Sequence, residues 1–211
     1  MLKTNNIETF NWEGALRGMR NPMNSWGKSD SEFAFDDCII GPNDLSLCKR
    51  LCKAGSDHRK FVRQIDVSLD ITAPLYWWKE FDTYKVGTVS NSCSTMHKIM
   101  SRDFTVADFS TEKMIVYAKH QNEKTIYALN TLRNMYFDGE HEAIKKEIWY
   151  SIIQLLPSSY NQKRTITLNY EVAYNMYQAR KSHKLEEWHV LCNAFIRELP
   201  YFADMFGITA T

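Results

Sequence analysis

The stretch LLPSSYNQKRTITLNYEVAYNMYQAR, residues 155–180, joins the end of one element to a strand and a further helix. Pro157 ends the apolar-periodic segment HEAIKKEIWYSIIQLL, because proline cannot continue a helix. TITL is rich in β-branched residues and predicts a short strand, and NYEVAYNMYQAR predicts an amphipathic helix. A strand that leads directly into a helix indicates an α/β or α+β fold.

The segments before this stretch show the same mixture of periodicities. QIDVSLDIT, residues 64–72, alternates apolar and polar residues and is the clearest strand. Ala73-Pro74 is predicted to start a helix that carries YWWKEFDTYK and breaks at Gly87. Asn43 is predicted to cap a helix through DLSLCKRLCKAG that ends at Gly55.

Other segments complete the predicted order. TIYALNTLRNMYF and LEEWHVLCNAFIREL have helical periodicity, and SEFAFDDCII, residues 31–40, is typical of a strand. WEGALRGMRNPMNSWGKSDS, residues 12–31, predicts an ordered, turn-rich segment rather than a tail. We expect a single domain over residues 1–211, rich in helix and with a small sheet.

Composition and charge exclude several classes of protein. The 211 residues are 44% apolar, which is enough for a core, and the formal net charge is +1. Such a charge gives no general attraction to nucleic acid or to an anionic membrane, and no apolar run of about 18 residues predicts a membrane span. The chain has no dinucleotide-binding glycine motif, P-loop, H-E-x-x-H or G-x-S-x-G, which argues against those enzyme classes.

The cysteines indicate a reducing compartment. There are five, an odd number, and no apolar leader precedes them, so we expect a cytoplasmic protein with free thiols. Cys48 and Cys52 are four residues apart on a predicted helix. No further ligands stand nearby, and we therefore expect no metal site.

The stretch YWWKEFDTYKVGTVSNSCSTMH, residues 76–97, is a candidate binding wall. It combines adjacent tryptophans with many hydroxyl and amide side chains, and its backbone N–H groups after Gly87 could hold a phosphate. A satisfied polar turn beside an aromatic core explains the same residues. Cys93, with His97 four residues on, is either an activated nucleophile or a buried, inert thiol.

A second candidate site is a group of basic residues between two predicted helices. Arg180, Lys181, His183 and Lys184 could bind an anion, or could simply be solvated charge at the carboxyl end of a helix.

The order of these motifs resembles the flavin-dependent thymidylate synthases (ThyX). That family has a Leu-Pro pair, then Thr-x-Asn opening a helix, then an Arg eleven residues after the Asn. This chain has Leu156-Pro157, Thr167-Leu168-Asn169 and Arg180 at that spacing, and His183 follows where the family has a His. Ala73-Pro74 lies where the family starts the helix of its Arg-His-Arg motif. MRNPMNSW, residues 19–26, lies where the family has an Ala-Arg-x-Ser segment.

Several positively charged positions of the family are replaced. Arg-His-Arg becomes Thr83-Tyr84-Lys85, and the later Ser-x-Arg becomes Cys93-Ser94-Thr95. Ile153 and Glu171 stand where the family has two further arginines. The chain therefore lacks several cations that the family uses to hold the phosphates of flavin and deoxyuridylate.

The resemblance implies a role for each matching position. Arg180 would contact the pyrimidine and stabilise its N3-ionised form, since an arginine stays charged and offers a planar fork of donors. The residues along the flavin would be Thr83, Tyr84, Lys85, Asn169 and Asn175, and those lining the nucleotide pocket would be Glu80, Asn91, Ser92, Ser94 and Thr95. By its position in that loop, Cys93 could attack the pyrimidine at C6.

The resemblance also implies a fold, an activity and an assembly. It predicts a small, mostly antiparallel sheet packed with long helices, in a homotetramer whose sites are built from several subunits. It predicts an enzyme that uses FAD, NADPH and methylene-tetrahydrofolate to convert dUMP to dTMP, or to make a related 5-substituted pyrimidine. Two alternatives stay open: the same fold without flavin catalysis, binding a nucleotide or a partner, and a helical interaction protein that resembles the family by chance.

Overall fold

Helices and short strands alternate along the computed structural model, which describes residues 1–34 and 37–209. The strands are β1 (Lys3–Phe10), β2 (Glu32–Ala34), β3 (Asp37–Ile39), β4 (Asp66–Pro74), β5 (Val89–Ser92) and β6 (Asn161–Asn169). The helices are α1 (Trp12–Arg20), α2 (Pro42–Ala54), α3 (Leu75–Phe81), α4 (Val116–Phe137), α5 (Lys145–Leu155), α6 (Tyr170–Arg180), α7 (Glu186–Glu198) and α8 (Phe202–Phe206). One sheet has the strand order β1-β4-β6-β5, and β2 pairs with β3 separately. The mixed fold with a small antiparallel sheet is as expected from the sequence.

Strand β4 confirms the alternation that the sequence shows. Val67, Leu69 and Ile71 are buried. Asp70, on the expected polar side, is buried as well. Its carboxylate accepts hydrogen bonds from the Thr165 hydroxyl at 2.6 Å and from the Asn6 amide at 2.9 Å, which offset the cost of burial.

Helix α2 ends as expected at Gly55, where φ is 109°, but its predicted cap is wrong. Pro42 is in the first turn, so the helix begins before Asn43 and Gly41 is the N-cap residue. The carboxylate of Asp30 accepts the backbone N–H groups of Asn43 at 2.9 Å and Asp44 at 3.0 Å. A side chain from another segment therefore satisfies these N–H groups, which no local motif announces.

Three other predicted elements differ in the structure. SEFAFDDCII contains two strands, β2 and β3, which pair antiparallel with Phe33 opposite Cys38. The part of that prediction over residues 35–36 lies outside the described residues. Residues 12–31, predicted as a turn-rich segment, begin with helix α1, and strand β1 precedes them where the sequence predicts no element. Helix α3 begins at Leu75, directly after the extended Pro74, rather than at Ala73-Pro74.

The chain divides into two compact units. Unit 1 comprises Met1–Lys3, Thr72–Thr83 and Asn91–Arg164. Its core lies around α4 and α5 and consists of Ile99, Met100, Phe104, Phe109, Ile126, Leu129, Ile148 and Ile152. Unit 2 comprises Thr4–Ile71, Tyr84–Ser90 and the chain from Thr165 on. Its core is aromatic: Tyr170 packs edge-on against Trp12 at 5.3 Å and against Phe202 at 5.5 Å. The single domain over residues 1–211 stays a prediction.

Two findings concern the described residues only. No helix within residues 1–34 and 37–209 is long and apolar enough to cross a membrane. The same residues contain no cluster of three or more His, Cys, Asp or Glu side chains able to hold a metal ion.

Candidate functional site

The sequence-predicted site residues fall into two groups. Unit 1 contains Glu80, Thr83 and the loop of residues 91–95, and unit 2 contains Tyr84, Lys85, Asn169, Asn175 and Arg180. Thr83 and Glu80 are in contact, since the Thr83 hydroxyl donates to the Glu80 carbonyl at 2.7 Å. Asn91 and Ser92 are exposed on β5, while Ser94 and Thr95 are half-buried.

Arg180 is the last residue of α6 and lies among aromatic rings of unit 2. Its Nε donates a hydrogen bond to the phenol oxygen of Tyr84 at 2.9 Å. Its guanidinium carbon lies 4.6 Å from the ring centroid of Trp188 and 5.6 Å from that of Tyr84. The two rings meet edge-on at 5.8 Å, and His183 packs against Trp188 at 6.3 Å. The structure thus brings Arg180, Tyr84 and His183 together around Trp188, a residue that no motif in the sequence marks as part of a site.

The two asparagines predicted to face a flavin occupy different places on α6. Asn169 is the N-cap residue, and its side-chain oxygen accepts the backbone N–H of Val172 at 3.1 Å. Asn175 is exposed in the middle of the helix, and Lys85 is exposed in the segment that precedes Gly87. Cap formation fixes the side chain of Asn169, because its oxygen must lie within hydrogen-bonding distance of an N–H group in the first turn of the helix.

Glu171, which stands where the family has an arginine, is tied into a buried ion pair. Arg59 binds it with two parallel hydrogen bonds, Nε to Oε2 at 2.8 Å and Nη2 to Oε1 at 3.0 Å. The guanidinium carbon of Arg59 also lies 4.8 Å from the ring centroid of Tyr174. The side chains of Arg59 and Glu171 are only 13% and 11% exposed. This position therefore contributes no net positive charge, because the arginine and the carboxylate neutralise each other.

The loop with Cys93 is held by β6 through its backbone. The N–H of Cys93 donates to the Lys163 carbonyl at 2.9 Å, and its carbonyl accepts from the Gln162 amide at 2.8 Å. Gln162 accepts from Arg164 Nε at 3.0 Å, and Arg164 in turn pairs with Asp82 at 2.8 Å. The sequence does not predict these hydrogen bonds, although Gln162 and Arg164 are two residues apart and so share one face of the strand.

The Cys93 thiol is exposed, so the alternative of a buried thiol is wrong. His97 is exposed as well, and its backbone N–H donates to Ser94 Oγ at 3.0 Å. Ser94 Oγ accepts the N–H of Met96 at 3.1 Å too, which makes a turn closed by a hydroxyl. The geometry keeps Cys93 accessible on a backbone that is fixed on both sides.

Cys93 and Ser94 line a cavity of about 650 Å³ in unit 1. Lys3, Lys98, Arg102 and Lys163 are in the same lining. Both carboxylates there are paired: Arg102 binds Asp108 with both Nη atoms, and Glu112 meets the amino group of Met1. Tyr160 also lines the cavity, and burial, followed by the charge of Asp108, raises its pKa. With three lysines beside these two pairs, the lining contains more cations than carboxylates, so the cavity suits a polar, anionic ligand.

The adjacent tryptophans of the candidate binding wall, residues 76–97, are core residues. Trp77 and Trp78 are buried and meet edge-on at 4.9 Å, and Phe81 packs against both. The indole N–H of Trp78 donates to the Gln162 carbonyl at 3.0 Å. The aromatic half of the stretch therefore anchors α3, and the hydroxyl-rich half forms β5 and the Cys93 loop.

The predicted flavin residues fit the two ends of FAD unequally. A phenol ring and two amides, from Tyr84, Asn169 and Asn175, suit an uncharged, planar ring system. A diphosphate needs cations or free N–H groups. Lys85 is the one cation among the five residues predicted to lie along the flavin, and Arg59 is already engaged by the buried Glu171. The donor set fits the flavin ring, and its diphosphate would rely chiefly on Lys85.

Comparison with known proteins identifies the fold. No family model and no curated protein matches the chain. A crystal structure of the flavin-dependent thymidylate synthase ThyX from Helicobacter pylori complexed with FAD and dUMP aligns with a TM-score of 0.67. Identity is 16%, over 96% of this chain and 97% of that chain. A second structure of Helicobacter pylori ThyX with FAD and dUMP gives a TM-score of 0.68 at 15% identity, over 98% of this chain and 97% of that one. At such identities the likeness establishes the fold alone, and the chain has the fold of ThyX.

Proposed function

We propose that the chain is an enzyme that binds a pyrimidine deoxynucleotide and methylates it, converting dUMP to dTMP or making a related 5-substituted pyrimidine. Its co-substrates would be NADPH and methylene-tetrahydrofolate, with FAD as cofactor. The observation that carries the proposal is Arg180, at the family spacing from Asn169, with its guanidinium held by Tyr84 and Trp188. The fold supports it, since the ThyX structures that it resembles contain FAD and dUMP.

Arg180 would act on the pyrimidine electrostatically. An arginine remains protonated at any working pH, so its donors can stabilise negative charge on N3 and its neighbouring carbonyl. Negative charge on the ring makes C5 more nucleophilic toward a one-carbon unit. The protein's part is to bind and polarise the nucleotide, and FAD, when bound, would supply the redox chemistry. Thr83, Tyr84, Lys85, Asn169 and Asn175 would lie along that cofactor.

The loop of residues 91–95 would line the nucleotide pocket together with Glu80. Ser92, Ser94 and Thr95 offer hydroxyls, Asn91 offers an amide, and the lysines of the unit 1 cavity offer charge complementary to a phosphate. A homotetramer with sites built from several subunits, and a cytoplasmic location, belong to the same proposal.

Cys93 would add a covalent step. Its sulfur would form a bond to C6 of the pyrimidine while the C5=C6 electron pair moves to C5 and the C4 carbonyl oxygen. That pair would form the new bond from C5 to the one-carbon unit. When C5 then loses its proton, the electron pair of the C5–H bond would re-form C5=C6 and expel the thiolate from C6. The exposure of the thiol and the fixed backbone of its loop support this role. A Cys93→Ala protein that forms product at the full rate would rule it out.

Thymidylate formation and nucleotide binding test the proposal together. We expect the purified protein to bind dUMP in calorimetry and to form dTMP when FAD, NADPH and methylene-tetrahydrofolate are added. Arg180→Lys should weaken dUMP binding about ten-fold or more, since lysine keeps one charge but loses the planar fork. Tyr174→Phe, which removes a phenol from the same helix, is the matched control and should bind as the wild type does. Absence of dUMP binding by the wild-type protein would contradict the proposal.

A second candidate function is nucleotide binding without flavin catalysis. The buried Arg59–Glu171 pair favours it, because a carboxylate stands where the family has a cation. This alternative predicts that dUMP binds while FAD neither binds nor changes the affinity for dUMP. Calorimetric titration of FAD into the protein, with and without dUMP, separates the two candidates.

A further inference from the structure

The arginine at the end of α6 has a tyrosine and a tryptophan as neighbours that lie far from it in the sequence. Arg180 Nε donates to the Tyr84 phenol oxygen at 2.9 Å, and the two residues are 96 positions apart. Trp188 is fully buried, with 0% exposure, and its ring centroid is 4.6 Å from the guanidinium carbon. The half-buried Tyr84 ring meets Trp188 edge-on, so the two residues form one packed support.

These contacts constrain the two motions that would turn a guanidinium. A stacked ring limits the tilt of the guanidinium plane, because cation–π attraction is strongest when the charge lies over the ring face. A hydrogen bond at Nε limits rotation within that plane, since it fixes one edge of the fork. A guanidinium presents its donors in a rigid geometry, so fixing the plane and one edge also fixes the direction of the others.

We propose that Tyr84 and Trp188 are positioning residues that set the orientation of Arg180, and that this orientation selects a uracil over a cytosine ring. The inference rests on the proposed binding of a pyrimidine deoxynucleotide through Arg180. Tyr84 thereby has a role in base selection that is separate from any contact with a flavin.

The preference for uracil follows from hydrogen-bond chemistry. Arginine donates at every N–H and accepts nowhere, so the ring edge that it meets must carry acceptors. We place the guanidinium at the ring edge formed by position 4 and N3, where uracil presents the O4 carbonyl and its N3 becomes an acceptor when it loses its proton. The O2 carbonyl accepts equally in both bases and does not distinguish them. Cytosine presents an amino group in place of O4, which sets donor against donor and leaves buried polar groups unpaired. A guanidinium that can swing away would discriminate less.

The test measures binding of dUMP and dCMP to the full chain by calorimetry. Tyr84→Phe removes one oxygen and keeps the ring. We expect it to weaken dUMP binding about ten-fold, the effect of one hydrogen bond to a charged group, with little change for dCMP. The ratio of the two affinities should therefore fall, which a general loss of folding would not produce. Trp188→Phe keeps a smaller ring under the guanidinium and should lower the ratio in the same direction.

Controls separate the possible failures. Tyr174→Phe should keep the wild-type ratio, and thermal unfolding should show that each variant is folded at the temperature of the titration. Wild-type affinities for both nucleotides in a folded Tyr84→Phe or Trp188→Phe protein would overturn the positioning role while leaving the proposed function intact. A wild-type protein that binds neither nucleotide would overturn the proposed function, and the positioning role with it.

Discussion

At the scale of single residues, the environments of the thiols distinguish one cysteine from the others. Cys93 is exposed, whereas Cys48, Cys52 and Cys192 are buried and Cys38 is half-buried. Burial raises the pKa of Cys38 and of Cys192 to about 11 and that of Cys52 to about 12, and it raises the pKa of Cys48 further. Because the thiolate is the reactive form, these four should react slowly near neutral pH.

We therefore predict that one thiol reacts rapidly with iodoacetamide in the folded protein at pH 8. Mass spectrometry should locate the modification at Cys93, and Cys93→Ser should abolish the rapid phase. If the loop of residues 91–95 lines the nucleotide pocket, excess dUMP should slow the modification. Rapid modification of Cys48 or Cys52 would contradict the burial described here.

Asp44 is a carboxylate that is fully buried at the start of α2. Arg20 Nε donates to its carboxylate at 2.6 Å, and the hydroxyls of Ser29 and Ser31 each donate at 2.6 Å. Burial alone would raise the pKa of Asp44, but these hydrogen bonds and the charge of Arg20 together lower it. The carboxylate is thus ionised in the folded protein down to a lower pH than in the unfolded chain.

The ionised Asp44 carboxylate makes the free energy of unfolding depend on pH. The stabilisation by Asp44 is complete above its ordinary pKa of 3.8 and is lost as pH falls through the lowered folded-state pKa. Asp44→Asn should lower the free energy of unfolding by about 3 kcal/mol at pH 7, since it breaks a buried ion pair. Urea unfolding should show this difference shrinking below about pH 4.

Asp204→Asn is the control for Asp44, because Asp204 and its partner Lys49 are 57% and 47% exposed. Its effect should stay below about 1 kcal/mol at every pH. A difference between Asp44→Asn and the wild type that stays constant from pH 7 to pH 3 would show that the ionised carboxylate is not the source of stability.

At the scale of elements, helix α2 has features that the local sequence predicts and a cap that it does not predict. Its apolar periodicity, its proline in the first turn and Gly55 at its end are all readable from the sequence. The N-cap residue is Gly41, and the carboxylate of Asp30, from outside the helix, accepts the N–H groups of Asn43 and Asp44 in place of a local capping side chain. Gly41 permits this approach, since a Cβ there would lie 2.2 Å from the Asp30 carbonyl oxygen. The sequence predicts Asn43 as the cap because asparagine is a favoured N-cap residue, but Asn43 lies within the first turn of the helix.

Alanine substitutions at Asp30 and at Asn43 make a matched pair of experiments. Asp30→Ala should lower the free energy of unfolding by about 1 kcal/mol, the usual effect of losing a cap. Asn43→Ala should change it by less than about 0.5 kcal/mol, because Asn43 is an exposed residue within the first turn. Chemical denaturation of both variants measures the two losses in free energy of unfolding. A larger loss for Asn43→Ala than for Asp30→Ala would show that Asn43, not Asp30, caps the helix.

Helix α6 was more accessible to sequence reasoning. Asn169 opens it and Arg180 closes it, as the spacing indicated, because the N-cap and the periodicity are both local signals. The contact of Arg180 with Tyr84 could not be read from the sequence, since it joins residues that are distant along the chain. Strand β1 could not be predicted from the sequence either, because it pairs with β4, which is distant along the chain.

At the scale of the whole molecule, the fold is better determined than the chemistry. The order of elements fits ThyX across nearly the entire chain at 16% identity, since a fold depends on periodicity and element order rather than on particular residues. The chemistry depends on a few positions, and several of these differ from the family. Glu171 is a buried partner of Arg59, and Tyr84 is a hydrogen-bond acceptor for Arg180.

The measurement that tests flavin-dependent methylation most directly is a visible absorption spectrum of the wild-type protein after addition of FAD and removal of the unbound cofactor. We predict that the flavin band stays with the protein, and that dUMP shifts it, as the proposed binding of the nucleotide beside the flavin ring requires. In Arg180→Lys the flavin band should remain while the shift on addition of dUMP is lost. A protein that retains no FAD at any concentration, with or without dUMP, would contradict methylation by a flavin-dependent route.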